Sequence, residues 1–208
     1  MKRVNNYLLQ AEQAKQIFLT YDQQALIRKF RLEADETWLY PRMLGEQYRL
    51  HRKTGALQRL ADGSWTDANT HSEVMTLLDL LCDSREDRWI SGNWKSMQAF
   101  GDQVHTGLLE VTENPTAAFY AAHLSGFRAV CEAMGGIPVP MGDAGYGIEL
   151  FDGLRIAPVL WLADEDFPAS LRYFWDENAR MYLRYETMYF AVNLLEARMQ
   201  ERMQRLHP

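Results

Sequence analysis

The chain has few cysteines and no long apolar run, and each absence excludes a class of protein. Its 208 residues include only two cysteines, Cys82 and Cys131, which stand far apart and form no Cys-x-x-Cys pair. We therefore expect no disulfide scaffold. We expect both thiols to be reduced, as in a cytoplasmic protein. No apolar run reaches the roughly 20 residues that span a bilayer, and residues 1–10 lack the apolar core and cleavage site of a secretory signal. We therefore expect no membrane partner.

Positive charge is also scarce. The formal net charge is −6, and the densest basic stretch is Arg49, Arg52, Lys53 and Arg59, which reads as a solvated hairpin face. A phosphate backbone would be repelled on average, so nucleic acid is not an expected partner. His-Glu-x-x-His and Gly-x-Ser-x-Gly are absent as well, so zincin and hydrolase-elbow chemistry have no motif support.

What is present favours an α+β fold. An apolar fraction of 47% can build a core, and 12% of the residues are aromatic. Periodicity predicts helices over 4–20, 70–81, 115–134 and 185–206, and strands over 37–43, 46–52, 56–60, 146–151, 156–162 and 171–175. No repeating strand–helix–strand unit occurs, which indicates an antiparallel or mixed sheet with N-terminal, central and long C-terminal helices packed on it. One domain over 1–208 is the simplest organisation.

A tryptophan segment is the first candidate for ligand binding. Trp89 and Trp94 flank a polar turn that contains Ser91, and two indoles around such a turn can stack on a flat ligand, together with Trp161. The alternative is that both tryptophans anchor an irregular loop to the core.

A glycine-rich loop and an acidic turn are the other candidates. In Gly142-Asp143-Ala144-Gly145, glycines let backbone approach a ligand and Asp143 can fix a polar group, or Asp143 bonds only to its own turn. Asp164 and Asp166 can bind Mg²⁺ or Mn²⁺ or supply a general base, but acidic turns before proline are also ordinary loops. His123 can be an axial or metal ligand, although a buried, hydrogen-bonded core histidine is the favoured interpretation.

The C-terminal half carries a resemblance. The segments that carry it follow one another along the chain: Gly142-Asp143-Ala144, Pro158-Val159-Leu160-Trp161, 164–168, and Tyr182-Leu183 ahead of Glu186. As a set, these segments resemble a family of uncharacterised proteins of about 200 residues, common in anaerobic microbes and known only as a domain of unknown function. Some relatives look fused to iron–sulfur or corrinoid-related modules, which implies a role near redox cofactors. This chain departs from the pattern at 77–80, where a histidine is expected among the leucines.

Three functions follow as expectations. The first is binding of a planar organic ligand or cofactor in a pocket lined by Trp89, Trp94 and Trp161, with Asp143 and the acidic turn at its mouth. Haem, a corrinoid and a divalent metal are the candidate cofactors. The second is a carboxylate- or metal-dependent enzyme, and the third is a protein-interaction module that forms a homo-oligomer through its C-terminal helix.

Overall fold

The structure is a computed structural model that describes residues 6–101 and 115–206. Contacts between Cα atoms divide the chain into two compact units. Unit 1 comprises Met1–Trp89 and Arg180–Leu194, and unit 2 comprises Ile90–Ala179 and Leu195–Pro208. Helices and antiparallel strands occur in both, which confirms the predicted α+β class. One domain over 1–208 stays a prediction.

Unit 1 combines a small antiparallel sheet with helices. Its elements are α1 (Asn6–Phe18), α2 (Gln23–Phe30), β1 (Glu33–Ala34), β2 (Trp38–Tyr40), β3 (Arg42–Met43), β4 (Glu46–His51), β5 (Leu57–Ala61), β6 (Ser64–Asp67), α3 (His71–Asp83) and the first part of α6 (Tyr185–Leu206). The sheet order is β1-β2-β4-β5-β6, and β3 pairs with β4.

Local chemistry explains where the helices of unit 1 begin. Thr70 is the N-cap of α3, and its hydroxyl accepts from the Glu73 backbone N–H at 3.3 Å. The Thr70 hydroxyl also donates to the Glu73 carboxylate at 2.8 Å, as expected of a capping pair. Asp22 caps α2 by accepting from the N–H groups of Gln24 and Ala25. The start of α3 agrees with the helix predicted over 70–81.

The core of unit 1 follows the predicted periodicities. Leu77 and Leu81 on α3 are fully buried, as are Tyr48 and Leu50, which lie two residues apart on β4. The spacing of i, i+4 on the helix and i, i+2 on the strand places each pair on one face.

Unit 2 contains the longer strands. Its elements are β7 (Trp94–Ser96), α4 (Pro115–Ala122), α5 (Leu124–Ala133), β8 (Ile137–Pro138), β9 (Ala144–Phe151), β10 (Leu154–Trp161), β11 (Ser170–Asp176) and α6 from Leu195 onward. The sheet order is β7-β11-β10-β9-β8, with every pair antiparallel. Asp152 and Gly153 join β9 to β10 with φ values of 49° and 84°, which suits a two-residue hairpin turn with positive φ at both positions.

Three local predictions were wrong. The helix predicted over 115–134 is broken at His123, whose φ of −122° and ψ of 45° leave the helical region. His123 is therefore exposed, and the core-histidine interpretation fails. The segment 94–96 forms a strand because it pairs with Asp176, Trp175 and Phe174 of β11, a partner far away in sequence. The segment 64–67, for which no strand is predicted, forms β6 because it pairs with β5.

Among the described helices, none has the length and apolar character needed to cross a membrane.

Candidate functional site

A cavity of about 460 Å³ opens in unit 2 between α4 and the last turns of α6. We call it the aromatic cavity. It is lined by Pro115, Thr116, Phe119, Tyr120, His123, Gln200, Met203 and Gln204. The spacing in sequence places the lining residues on consecutive turns of each helix, because positions three and four apart share a helical face.

An aromatic layer forms the floor of the aromatic cavity. The Tyr120 ring is buried, and its centroid lies 5.5 Å from that of Phe119 and 5.3 Å from that of Phe127, both edge-on. Phe127 in turn meets Tyr146 of β9 at 6.4 Å. Edge-on pairs of this kind add to the stability gained from burying the rings, so the floor is fixed by the sheet beneath it.

Two rings stand at the rim. Phe119 is 45% exposed, and its centroid lies 4.6 Å from that of His123. The His123 Nδ1 is 2.8 Å from the Phe119 carbonyl oxygen, which fixes the orientation of the imidazole. A large apolar ring left this exposed beside a cavity is a surface on which another flat group can stack.

The Tyr120 hydroxyl lies in the interior behind the floor. It is buried and has no hydrogen-bond partner among the described residues. Burial raises the pKa of Tyr120 to about 12, with smaller contributions from Cys131 and Glu196. The neighbouring Tyr173 hydroxyl donates to the Glu196 carboxylate at 2.7 Å. Both phenols therefore stay protonated at neutral pH.

A second cavity, of about 340 Å³, lies in unit 1 and is lined by residues of α1, α3 and α6. Its lining includes a charged cluster. We call Asp79, Asp83, Arg184 and Thr187 the Asp79 cluster. The buried Asp79 carboxylate accepts from the Arg184 guanidinium at 2.6 Å and from the Thr187 hydroxyl. Arg184 also reaches Asp83 at 2.8 Å. These contacts tie α3 to the start of α6.

The groups of this second cavity are poorly suited to nucleophilic chemistry. Burial raises the pKa of the Cys82 thiol to about 12, and the carboxylates Asp83 and Asp79 add to the shift. A thiol with so high a pKa carries almost no thiolate at neutral pH. Asp79 is already held by Arg184 and Thr187, so the cluster acts as a tie between helices.

The structure gives the predicted ligand residue Ser91 a structural contact. The Asp176 carboxylate, buried at the end of β11, accepts from the Ser91 N–H and hydroxyl at 3.2 and 3.1 Å. It also accepts from the backbone N–H groups of Gly92 at 2.7 Å and Asn178 at 2.9 Å. One buried carboxylate therefore holds the whole turn.

The three predicted tryptophans occupy different surroundings. Trp89 is exposed and belongs to unit 1. Trp94 lies on β7 in unit 2, close enough to Gly147 that a Cβ there would stand 3.2 Å from the indole. Trp161 ends β10, with its ring 6.1 Å from Phe174 and 5.4 Å from the Arg172 guanidinium. None of the three lines either cavity, and their ligand role stays a prediction.

The glycine-rich loop packs against β10. A Cβ at Gly142 would stand 2.6 Å from the Leu160 carbonyl oxygen, and its φ of +61° favours glycine. Asp143 accepts from the Leu162 N–H at 2.8 Å and donates its own N–H to Leu160 at 2.9 Å. These contacts explain the loop by packing and turn geometry, and a ligand at Asp143 stays a prediction.

The acidic turn closes on itself. Asp164 accepts from the N–H groups of Asp166 and Phe167 at 2.9 and 2.8 Å, as short acidic side chains do in turns. Within residues 6–101 and 115–206, no group of three or more histidine, cysteine or acidic side chains is arranged to hold a metal ion. The metal role of Asp164 and Asp166 stays a prediction.

Sequence reasoning did not find the residues of the aromatic cavity. The helix predicted over 115–134 is continuous and places His123 in the core, and Phe119 carries no separate signal. Gln200 and Gln204 stand among glutamates and arginines and read as part of a solvated face. The sequence signal that could have identified them is their spacing of four residues, with Met203 on the same helical face.

Comparisons with known proteins identify the family and no activity. No curated protein matches the chain, and no solved structure matches it. A family model described as a domain of unknown function, DUF3786, matches residues 22–198. Because the match spans most of the 208 residues, this chain belongs to the DUF3786 family.

Proposed function

We propose that this protein binds a small planar organic ligand in the aromatic cavity. The observation that carries the proposal is the exposed Phe119–His123 ring pair at the rim of a cavity of about 460 Å³. Cavities that hold small ligands have volumes of about 300–1,000 Å³ and are mostly apolar, with a few polar groups. The lining here has that composition.

The ring pair supplies the binding energy in this proposal. Phe119 is 45% exposed. Stacking of a ligand ring on an aromatic side chain contributes about 0.5–1.5 kcal/mol beyond the area that it buries. Because the Tyr120 ring is already packed against Phe127, which contacts Tyr146, little ordering of the floor side chains opposes binding.

Among the candidate cofactors, the lining argues against those with anionic side groups. Haem carries two carboxylates, and the lining residues that the structure describes include no lysine or arginine. A buried anion without a cation or hydrogen-bond donors costs several kcal/mol. Haem, a corrinoid and a divalent metal stay predictions without a specific contact in their favour.

Calorimetric titration with phenazine, an uncharged planar ring system, tests the proposal. The wild-type protein should bind it saturably at one site. Phe119→Ala should weaken binding by about tenfold, since it removes about 1.4 kcal/mol of stacking and burial. Phe167→Ala is the matched control, because Phe167 is 64% exposed and does not line the cavity; it should leave the Kd unchanged.

Two results would overturn the proposal. One is the absence of saturable heat with phenazine and with related planar rings. The other is equal weakening by Phe119→Ala and Phe167→Ala, which would mean that the probe binds exposed rings without selection. Circular dichroism of both variants checks that the helices remain.

The other expectations stay as proposals of lesser support. A reducing, cytoplasmic location accords with the free thiols of Cys82 and Cys131. An oligomer through α6 would need a free apolar surface, whereas Met188, Leu195 and Met199 of its apolar stripe are buried in the single chain. No specific contact favours the carboxylate enzyme.

A further inference from the structure

We infer that the ligand of the aromatic cavity is an uncharged heteroaromatic ring whose edge carries adjacent hydrogen-bond donor and acceptor atoms, read by Gln200 and Gln204. The inference rests on the proposed function and names the ligand class. Imide and lactam edges, such as those of flavin-like and purine-like rings, have this arrangement of atoms.

The charge of the lining selects against ions. No aspartate, glutamate, lysine or arginine is among the described residues that line the aromatic cavity. A phosphate or carboxylate on the ligand ring would lose its hydration without gaining a cation, and an ammonium group would find no carboxylate in the lining. An uncharged ring has neither cost.

The two glutamines provide the polar recognition. They lie one turn apart on α6, about 6 Å along the axis at 1.5 Å per residue. Both are exposed, and the buried Met203 lies next to them on the same helical face. Each amide offers an oxygen acceptor beside an NH₂ donor, and such an amide pairs in bidentate fashion with a ring edge of complementary atoms.

The aromatic rings and the amides of the cavity lining come from two different segments of the chain, which form two walls. Phe119 and His123 belong to the α4 side, and Gln200 and Gln204 belong to α6. A flat ligand can stack on the rings of the first wall while its edge meets the amides of the second. A ring without adjacent donor and acceptor atoms on its edge cannot pair with an amide in bidentate fashion and binds more weakly.

Two pairs of probes test the inference by calorimetric titration. Lumichrome has an imide edge and phenazine lacks one, so lumichrome should bind at least about tenfold more tightly. Phenazine and phenazine-1-carboxylate share the ring system and differ by one carboxylate on the ring. Phenazine-1-carboxylate should bind at least about tenfold more weakly than phenazine.

Variants assign the edge contact to the two amides. Gln200→Leu and Gln204→Leu should each weaken lumichrome binding by about tenfold and leave phenazine binding unchanged. Asn193→Leu is the matched control, because Asn193 is an exposed amide on the same helix outside the cavity lining. It should change neither affinity.

The outcomes separate the inference from the proposed function. Failure of both phenazine and lumichrome to bind would overturn the proposed function and, with it, the inference. Phenazine binding that depends on Phe119, together with equal affinity for lumichrome and no effect of either Gln→Leu change, would overturn the inference alone. So would phenazine-1-carboxylate binding as tightly as phenazine.

Discussion

Replacing Arg184 by methionine should destabilise the protein by about 2 kcal/mol. The change keeps most of the aliphatic side chain and removes the guanidinium that binds the Asp79 carboxylate at 2.6 Å and Asp83 at 2.8 Å. Asp79 is only 5% exposed, so its carboxylate has little water to replace the lost donor. Thr187 remains as its hydrogen-bond partner.

The magnitude combines three contributions. A hydrogen bond to a buried charged group contributes about 1.5–3 kcal/mol. The second ion pair, to the partly exposed Asp83, contributes about 0–1 kcal/mol because solvent screens it. Against these, Arg184 lies at the N-terminus of α6, where the helix dipole disfavours a cation by about 0.3–1 kcal/mol. The Arg184 side chain is 57% exposed, so solvent screens its charge and the sum stays at about 2 kcal/mol.

Arg205→Met is the matched control for this prediction. The Arg205 side chain is 58% exposed, nearly the same as Arg184, but its partner Glu201 is 33% exposed. An exposed pair four residues apart on a helix contributes under about 1 kcal/mol. Urea denaturation followed by circular dichroism measures both variants through the shift in midpoint at constant slope.

Equal destabilisation by the two changes would refute the reasoning, because the predicted difference rests mainly on the burial of Asp79, the acidic partner of Arg184. A double-mutant cycle with Asp79→Asn provides a further check. Asp79→Asn should cost less in the Arg184→Met background than in the wild-type protein, with a coupling free energy of about 1–2 kcal/mol.

Three further predictions concern buried polar groups. Tyr120→Phe should leave the free energy of unfolding unchanged or raise it by up to about 1 kcal/mol, because the hydroxyl that it removes has no hydrogen-bond partner within the described residues; a loss above about 1 kcal/mol in urea denaturation would contradict this. Asp176→Ala should destabilise by about 2–4 kcal/mol, because four donors lose one acceptor, and proteolysis near residues 91–93 should accelerate; an unchanged midpoint and cleavage rate would be the opposite result. The pKa of Cys82 is raised from 9.0 to about 12 in the folded state. The contribution of this thiol to the free energy of unfolding should therefore be fully present below pH 9 and be lost as the pH rises toward 12. Cys82→Ala should flatten that fall, and iodoacetamide should label Cys82 much more slowly than a free thiol at pH 8; rapid labelling would show an ionised side chain.

The elements that sequence predicts well are those whose signals are local. The start of α3 follows from the Thr70 cap and its Glu73 partner, and its buried face from leucines at helical spacing. The hairpin at Asp152-Gly153 follows from turn chemistry. The long helix α6 has the predicted bounds, 185–206.

Elements that depend on distant partners were missed. β7 is three residues long and forms because β11 offers it an edge, and no periodicity exists over so short a segment. The break at His123 has no proline beside it, and apolar residues continue at helical spacing on both sides, so periodicity alone favours continuity there. Without that break, Phe119 and His123 could not be recognised as exposed.

The candidate site shows the same limit. Asp143, Asp164 and Ser91 attract attention as polar loop residues, and each is bound within its own turn or to a buried neighbour. The aromatic cavity instead joins residues more than 75 positions apart, such as Phe119 and Gln200. Which aromatic side chains remain exposed depends on tertiary packing, and sequence does not encode it locally.

An NMR titration with phenazine, followed through the backbone amide chemical shifts, locates the bound ring and tests the central claim most directly. We predict that chemical shifts change in the fast or intermediate exchange regime at Thr116, Phe119 and Met203, along the two walls of the aromatic cavity. Shifts confined to Trp94, Asp143 and Trp161, with none on α4 or the last turns of α6, would contradict the account and place the ligand site on the strand ends instead.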